Sequence, residues 1–193
     1  MNRNRHTMRG FTLIELMITM VIAAILLTQA VPSFRAMIAN NRITSQVNEL
    51  VTSINYARSE GAKLNSPMVL CRSANPNAAT PSCGGTAQDW STGWLVFADA
   101  NNNATYENAT DTLVRVGGPS AAGIEVHTNN TSNNNLQLNA NGSTNEGGGT
   151  AIFVVCDDRN SDGTLDVAFG REVRVQPSGH IQTIGSPVAD CTP

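Results

Sequence analysis

Residues 10–35 read GFTLIELMITMVIAAILLTQAVPSFR, and this stretch decides the fold. Between Glu15 and Arg35 lie 19 residues without a formal charge. A helix of that length, rising 1.5 Å per residue, covers about 28 Å, which is one hydrocarbon thickness of a bilayer. Residues 1–9 carry three arginines and no acid. Because basic residues before an apolar run favour the cytoplasmic side, we expect a membrane helix with a cytoplasmic N-terminus.

Two ordinary interpretations compete with this one. A secretory signal also has a basic start and an apolar run, but its small-residue cleavage site follows the run. Here Gly10 precedes the run, no small-x-small site closes it, and the helical pattern continues beyond it. A plain N-terminal membrane anchor is the second alternative.

The start of the run carries a more specific motif. Gly10-Phe11-Thr12-Leu13-Ile14-Glu15 resembles the prepilin peptidase site of type IV pilins and type II secretion pseudopilins. The resemblance implies that prepilin peptidase cuts between Gly10 and Phe11 and that the new N-terminal Phe11 is methylated. It also implies a bacterial inner-membrane protein with a periplasmic head, whose N-terminal helix packs against other pilins or pseudopilins.

Glu15 and Pro32 are the candidate assembly residues. A carboxylate within an apolar run costs several kcal/mol unless it finds a partner, so Glu15 is a functional candidate. The resemblance implies that this partner is the free amine of Phe11 on a neighbouring subunit, whereas a hydrated position near the interface is the simpler alternative. Pro32 removes one helix hydrogen bond, so we expect a kink, a local opening or the end of the first helix there.

The helical pattern resumes after Pro32. Over residues 34–64, apolar residues recur at three- and four-residue spacings and predict one face packed against a sheet. These residues are Val47, Leu50, Val51, Ile54, Ala57, Gly61 and Leu64. Ser66-Pro67 is expected to end the helix. Residues 55–63, NYARSEGAK, resemble the GspH/FimT subfamily of minor pilins, and Gly61 replaces the usual Ala at a cost of up to about 1 kcal/mol of helix stability.

Beyond Pro67, short β-type runs alternate with clusters of Asn, Gly, Pro and Ser. They predict strands at 68–71, 93–98, 112–116, 123–127, 134–139, 150–156, 171–176 and 180–184. No helical pattern separates these runs, so the sheet is expected to be mainly antiparallel. Residues 90–99, WSTGWLVFAD, resemble the same subfamily, as do Gly170-Arg171 and Pro177-Ser178-Gly179. The resemblance implies an α+β type IV pilin fold, with a long helix on an antiparallel sheet.

The expected organisation has four parts. They are a leader at 1–10, a transmembrane and filament-core helix at 11–33, an amphipathic half of the helix at 34–66, and a β-rich extracytoplasmic head at 67–193. Loss of the leader removes three of the 12 basic residues and none of the 15 acids, which changes the formal net charge from −3 to −6. This acidic balance gives no general electrostatic reason to bind nucleic acid.

Four cysteines follow the membrane segment, on the side where disulfides persist. They are Cys71, Cys83, Cys156 and Cys191, and four cysteines allow three pairings. We favour Cys71–Cys83, which closes a Pro- and Asn-rich loop, together with Cys156–Cys191, which ties the tail to a core strand. A tetrathiolate zinc site is a weaker alternative because no C-x-x-C occurs.

Catalytic chemistry is not expected. His6 lies in the expected leader. The two remaining histidines, His127 and His180, do not belong to any sequence motif typical of a catalytic nucleophile or a metal site. We therefore predict a structural protein without a cofactor or a small-molecule substrate, which is itself the substrate of a peptidase.

A weak calcium candidate lies at residues 158–166, DRNSDGTLD. Its possible ligands are Asp158, Asn160, Asp162 and Asp166, whose spacing resembles the opening of an oxygen-rich calcium loop. Residues 99–103 are a poorer copy. The bidentate Glu expected at loop position 12 is replaced by Phe169, so an ordinary turn rich in Asp and Asn is the alternative.

A weak DNA-binding candidate follows at residues 170–174. Some FimT proteins bind DNA through a basic motif similar to G-R-x-R, whereas this sequence reads GREVR. On a strand, Arg171 and Arg174 should face opposite sides, so a nucleic-acid partner is not expected.

The combined interpretation is a minor pilin of the GspH/FimT/FimU group in the tip or initiation complex of a type IV pilus. The alternative is type II secretion protein H, a pseudopilin with the same architecture that acts in protein export. A FimT-like role in DNA uptake is the further alternative.

Overall fold

The computed structural model describes residues 10–129, 135–145, 149–160 and 162–191. The predicted leader lies outside this range except for Gly10. One long helix, α1 (Leu13–Leu64), precedes eight strands. The strands are β1 (Met68–Arg72), β2 (Trp94–Ala98), β3 (Thr112–Gly117), β4 (Ile124–Thr128), β5 (Asn135–Leu138), β6 (Ala151–Asp157), β7 (Arg171–Val175) and β8 (Ile181–Ile184). Each agrees with a predicted strand to within one residue, although residue 134, the predicted start of β5, lies outside the described residues.

The chain forms two compact units, which divide between Ile38 and Ala39. In the first unit the described residues are the first part of α1 and the three residues before it. The second unit contains the rest of α1 and all eight strands. Pro32 lies inside α1, so the first helix does not end there.

The strands form two four-stranded sheets in the order β3-β2-β1-β5 and β4-β6-β7-β8. Every neighbouring pair is antiparallel, as expected from short strands joined without helices. The sequence analysis predicted that the strands would be antiparallel, but it did not predict that they would divide into two sheets. Short connections join β3 to β4 and β7 to β8, yet only the second pair are neighbours in one sheet.

The core of the second unit lies between one face of α1 and both sheets. The helix contributes Ile43, Val47, Leu50, Ile54 and Ala57 to this core. Trp90 lies edge-on to Phe153, with ring centroids 5.0 Å apart. Burial of these large apolar groups is the main favourable term for the fold.

The end of α1 corrects one prediction. Leu64 was placed on the apolar face, but it is exposed. The helix terminates there because Asn65 adopts a left-handed conformation with φ of 49°, and the Ser66 amide donates to the Gly61 carbonyl at 3.2 Å. This turn leads the chain into β1, and the side chain of Leu64 remains outside the core.

Gly61 has a packing role that the sequence analysis did not foresee. A Cβ at this position would lie 2.9 Å from Cγ of the buried Met68 and 3.3 Å from the Ser66 carbonyl oxygen. Glycine at position 61 lowers the helix propensity, but its lack of a Cβ lets α1 and β1 lie in close contact.

Candidate functional site

The N-terminal end of α1 forms a reciprocal cap. The Glu15 amide donates to Oγ1 of Thr12 at 3.3 Å, and the Thr12 amide donates to Oε2 of Glu15 at 3.5 Å. This arrangement is a capping box, and the carboxylate also lies at the positive end of the helix dipole. The sequence analysis missed the role of Thr12, although the T-x-x-E spacing before an apolar run is its signal.

The first unit presents apolar side chains to its surroundings in every direction around α1. Phe11 is 85% exposed, and 15 further large hydrophobic residues up to Ile38 are at least 46% exposed. Leu13, Ile14, Leu16, Met17 and Ile18 fall within six consecutive positions and so point to all sides of a helix. Within the described residues, α1 is the helix that is long and apolar enough to cross a membrane.

Pro32 leaves one carbonyl of α1 without its usual donor. A proline has no amide hydrogen, so the carbonyl four residues earlier, at Thr28, loses its helical bond. The Thr28 hydroxyl donates to the Ile25 carbonyl at 2.7 Å. Around Thr28 and Pro32, α1 therefore lacks one backbone hydrogen bond and has one additional hydrogen bond from a side chain to the backbone.

Both favoured disulfides are present in the head. Cys71 of β1 is bonded to Cys83, with Cα atoms 5.6 Å apart, and Cys156 of β6 is bonded to Cys191, with Cα atoms 5.9 Å apart. All four cysteines of the sequence lie in the described residues and are paired. Each bond lies in an apolar cluster on the outer face of its sheet, opposite the main core.

The calcium candidate forms a turn closed by its own hydrogen bonds. Asp158 accepts from the amides of Asp162 and Gly163, each at 3.0 Å, and Asp162 accepts from the Thr164 amide at 2.8 Å. Hydrogen bonds from the Thr164 side chain and amide lower the pKa of Asp162. Within the described residues, no group of three or more His, Cys, Asp or Glu side chains is placed to hold a metal ion.

The poorer copy of this loop has the same pattern of bonds. Asp99 accepts from the amides of Asn103 and Ala104 at 3.2 and 2.7 Å, and Asn103 accepts from the Thr105 amide at 2.8 Å. Ala104 has a positive φ of 58°, as Gly163 does at 82°. The two loops are therefore related turns, and calcium binding by either stays a prediction.

The two arginines of the DNA candidate lie on opposite faces of β7. The guanidinium group of Arg171 donates to the carbonyls of Phe169 and Gly170 at 3.2 Å. Arg174 donates a hydrogen bond to Glu172 and forms an ion pair with it. The hydrogen bond, together with the negative charge of Glu172, raises the pKa of Arg174. Arg174 therefore has its charge neutralised on its own strand, and the structure does not bring the two arginines together.

The two histidines are in different surroundings. His127 of β4 lies 2.8 Å from a carboxylate oxygen of Glu125. His180 is exposed in the turn before β8. The amide of His180 donates to Oγ of Ser178 at 3.4 Å.

A half-buried arginine was also missed by the sequence analysis. Arg159 forms hydrogen bonds with Asp157 and Asn40 and lies over the Phe169 ring. Arg159 lies within the calcium-like motif, in which only the Asp and Asn residues were considered as candidates, so its structural role was not predicted.

Sequence comparisons identify two regions of the chain. A family described as "Type II transport protein GspH" matches residues 46–179, and a "Prokaryotic N-terminal methylation motif" matches residues 5–28. The comparison with curated proteins found no match.

Structural comparison finds the same fold in the type IV minor pilin FimU of Pseudomonas aeruginosa strain PAO1. The crystal structure in space group P21 aligns with a TM-score of 0.58 and 19% identity, over 78% of this chain and 96% of that chain. The structure in space group P65 aligns with a TM-score of 0.53 and 17% identity, over 77% and 98% of the two chains. Together with the long helix and the antiparallel sheets, these matches show the type IV minor pilin fold. Because the GspH match covers more than half of the sequence, the chain belongs to the GspH family of type IV minor pilin-like and pseudopilin-like proteins.

Proposed function

We propose that this protein is a structural subunit of the tip or initiation complex of a type IV pilus. The observation that carries the proposal is the exposed apolar surface of α1 before Arg35, where Glu15 is the only charged residue from Gly10 onward. Such a surface is stable in lipid or against other apolar helices, and unstable in water. The same segment therefore serves first as an inner-membrane anchor and then as the filament-core helix.

Processing precedes assembly in this proposal. Prepilin peptidase cuts between Gly10 and Phe11, both of which are exposed and lie before the first helical residue. The N-terminus is cytoplasmic and the head is periplasmic. Intact mass measurement of the membrane-extracted protein tests this step, and it should find a chain that begins with N-methylated Phe11. Retention of residues 1–10 would exclude the proposed processing.

Glu15 changes partner during assembly. In the free subunit its carboxylate accepts from the Thr12 amide, and in the filament it pairs with the Phe11 amine of a neighbouring subunit. Glu15→Gln separates the two roles, because glutamine also completes a capping box but carries no charge. We expect this variant to insert and be processed normally yet to assemble poorly. Normal assembly would leave helix capping as the role of Glu15.

The head is proposed to present a surface to other minor pilins rather than to catalyse a reaction. Two disulfides and a shared core fix its shape, which suits a structural subunit. It needs no cofactor or small-molecule substrate.

Type II secretion protein H is the second candidate, and the match to the type II transport protein GspH family favours it. Deletion of the gene in its own host distinguishes the two functions. Loss of surface pili with normal protein export supports the pilus, whereas loss of export with normal pili supports secretion.

DNA uptake is the third candidate. The separation of Arg171 and Arg174 and the pairing of Arg174 with Glu172 argue against a phosphate-binding surface. Gel-shift titration at low salt, with Arg171→Ala as the control, tests it. Salt-sensitive binding that Arg171→Ala weakens would restore DNA uptake as a function.

A further inference from the structure

Two long loops cover the outer face of the sheet β3-β2-β1-β5, opposite the main core. The loop between β1 and β2 reaches this face through Cys83, which is bonded to Cys71, and the loop between β2 and β3 reaches it through Tyr106. Tyr106 packs against Phe97 of β2, with ring centroids 5.3 Å apart. Between the two loops lies a cavity of about 460 Å³, which we call the loop cavity.

The side chains that present polar groups to the loop cavity are neutral. Four are carboxamides and one is a hydroxyl, and they are Asn102, Asn103, Asn135, Gln137 and Thr105. Arg72 also borders the cavity, but its guanidinium group donates to the Thr86 carbonyl. Because side chains alternate along a strand, the Arg72 side chain leaves β1 on the opposite face from Cys71. Within the described residues, no carboxylate lines this cavity.

Hydrogen bonds within the head hold one wall of the loop cavity in place. Nδ2 of Asn135 donates to the Ala104 carbonyl at 3.0 Å, and Nε2 of Gln137 donates to Oδ1 of Asn135 at 3.4 Å. The Ala104 amide donates to the buried Asp99 carboxylate at 2.7 Å, and the φ of Ala104, 58°, is one that alanine rarely adopts. The amides of β5 are therefore positioned in advance, which lowers the entropic cost of binding a ligand.

The rim of the loop cavity offers hydrogen-bonding groups that the protein itself does not use. The exposed Asn102 side chain forms no hydrogen bond with any residue that the structure describes, and Nδ2 of Asn103 donates to none of them. Oδ1 of Asn103 accepts from the Thr105 amide at 2.8 Å. A carboxamide has two N–H donors and an oxygen with two lone pairs, so Asn102 presents both donors and acceptors to a ligand.

The neutral, amide-rich lining selects among classes of ligand. An ion would lose its water without gaining a counter-charge, and a hydrophobic ligand would leave the amides without partners. A neutral ligand with neighbouring hydroxyl groups fits this lining, because each hydroxyl both donates and accepts, as each carboxamide does. The volume of about 460 Å³ lies in the range of small-molecule sites. A sugar ring has this chemistry and this size.

We propose that the loop cavity binds one neutral sugar unit, a hexose or an N-acetylhexosamine. The carboxamides of Asn102, Asn103 and Gln137 exchange hydrogen bonds with adjacent ring hydroxyls, while the disulfide contacts the apolar face of the ring. No aromatic side chain among the described residues lines the cavity to stack on the sugar, so we expect a weak site with Kd of about 1–10 mM. The site lies wholly in the head, so this inference does not depend on whether the subunit serves a pilus or protein export.

Saturation-transfer difference NMR on the detergent-solubilised full-length protein tests the proposal. The detergent is dodecylphosphocholine, which has no sugar headgroup. The probes are glucose, galactose, mannose and N-acetylglucosamine, each as the free sugar and as its methyl glycoside, which mimics the end of a glycan chain. We expect saturation transfer to at least one probe. Transfer to a methyl glycoside identifies a glycan end as the ligand, and transfer to free sugars alone identifies a small sugar. No transfer at about 100 mM, tenfold above the weakest expected Kd, overturns the proposal.

Two variants with matched controls locate the binding in the loop cavity. Thr105→Trp places an indole ring against the cavity and should weaken binding about tenfold or more, whereas Thr110→Trp changes the same loop outside the cavity and should not. Asn102→Gly removes one amide at a position with positive φ and should weaken binding about threefold, whereas Asn65→Gly does the same at the end of α1 without effect.

Urea unfolding shows whether each variant is folded. Unchanged affinity in folded Asn102→Gly or in folded Thr105→Trp would place the binding elsewhere and overturn the proposal. An equal loss of affinity in the two control variants would do the same, because neither control changes the cavity.

Discussion

Arg159 donates from Nη2 to Oδ1 of Asn40 at 2.9 Å, although 119 positions separate the two residues. The same guanidinium group pairs with Asp157 at 3.1 Å and lies 3.7 Å from the centre of the Phe169 ring. The side chains of Arg159 and Asp157 are 13% and 6% exposed. Arg159 thus neutralises a buried carboxylate and also joins the β6–β7 connection to α1.

Replacement of Arg159 by alanine is expected to destabilise the head strongly. The variant leaves the buried Asp157 carboxylate without its cation, and loss of one member of a buried pair costs about 3 kcal/mol. Asn40→Ala removes a single hydrogen bond and should cost about 1 kcal/mol. Urea unfolding of the detergent-solubilised protein measures both changes. Equal losses in the two variants would show that pairing with Asp157 contributes little.

Substitution of Gly61 by alanine tests the close contact between α1 and β1. Alanine favours the helix by up to about 1 kcal/mol, but overpacking against buried groups costs about 1–3 kcal/mol. The added Cβ would lie 2.9 Å from Cγ of Met68, so we expect a net loss of about 1 kcal/mol. Thermal and urea unfolding measure the change.

The Met68→Ala background separates the two effects. Removing Cγ of Met68 relieves the closest contact of the new Cβ, so Gly61→Ala should then be neutral or stabilising. If the loss caused by Gly61→Ala is the same with and without Met68, the contact is not its cause and the Ser66 carbonyl becomes the candidate.

Local sequence patterns predicted the elements better than their assembly. Alternating apolar residues and turn clusters located all eight strands, because both are set by neighbours along the chain. The division into two sheets depends on long-range pairing, such as Leu70 with Leu136, which no local pattern specifies. The same limit explains why the link between Asn40 and Arg159 was missed. Ile43, by contrast, lies four residues before Val47 and fits the local spacing, so its omission from the predicted apolar face was avoidable.

The motifs of the candidate site were predicted unevenly for a related reason. The motif around Gly10 and Glu15 is contiguous, so sequence alone located it. The calcium-like motif is contiguous too, but its function depends on which oxygens converge. In the described residues those of Asp158 accept backbone amides instead.

Asp162 provides a pH-dependent test of the turn that contains it. Hydrogen bonds from Thr164 lower its pKa below the ordinary value of 3.8. A group whose folded pKa is depressed adds stability above the unfolded pKa and loses it as pH falls through the folded pKa. The contribution of Asp162 to folding stability should therefore be fully present above about pH 5. It should be lost as the pH falls below 3.8, the ordinary pKa of the group, and through the lower pKa of the folded state. Carboxyl NMR titration should show the depressed pKa.

Thr164→Ala is the matched control for Asp162. Loss of the threonine hydroxyl should move the pKa of Asp162 back towards its ordinary value, since that hydrogen bond is the largest cause of the shift. An unchanged titration would assign the shift to another group. Repeating the titration with calcium tests the remaining prediction for this loop. A calcium-dependent shift of Asp158 or Asp162 would support binding, and identical curves would exclude it.

The two disulfides are expected to differ in their contribution to stability. In the chain-entropy account, a bridge stabilises the fold by restricting the unfolded chain, and the effect grows with the enclosed loop. Cys71–Cys83 has a sequence separation of 12 residues and Cys156–Cys191 one of 35. The corresponding contributions to the free energy of unfolding are about 3 and about 4 kcal/mol, so removal of the second bridge should lower stability by about 1 kcal/mol more than removal of the first.

Urea unfolding under non-reducing conditions compares the two paired Cys→Ala variants. Alanine is used because serine would bury a hydroxyl group. A larger loss on removing Cys71–Cys83 would instead assign the dominant effect to packing of Cys71 against Val69, Leu95 and Phe97.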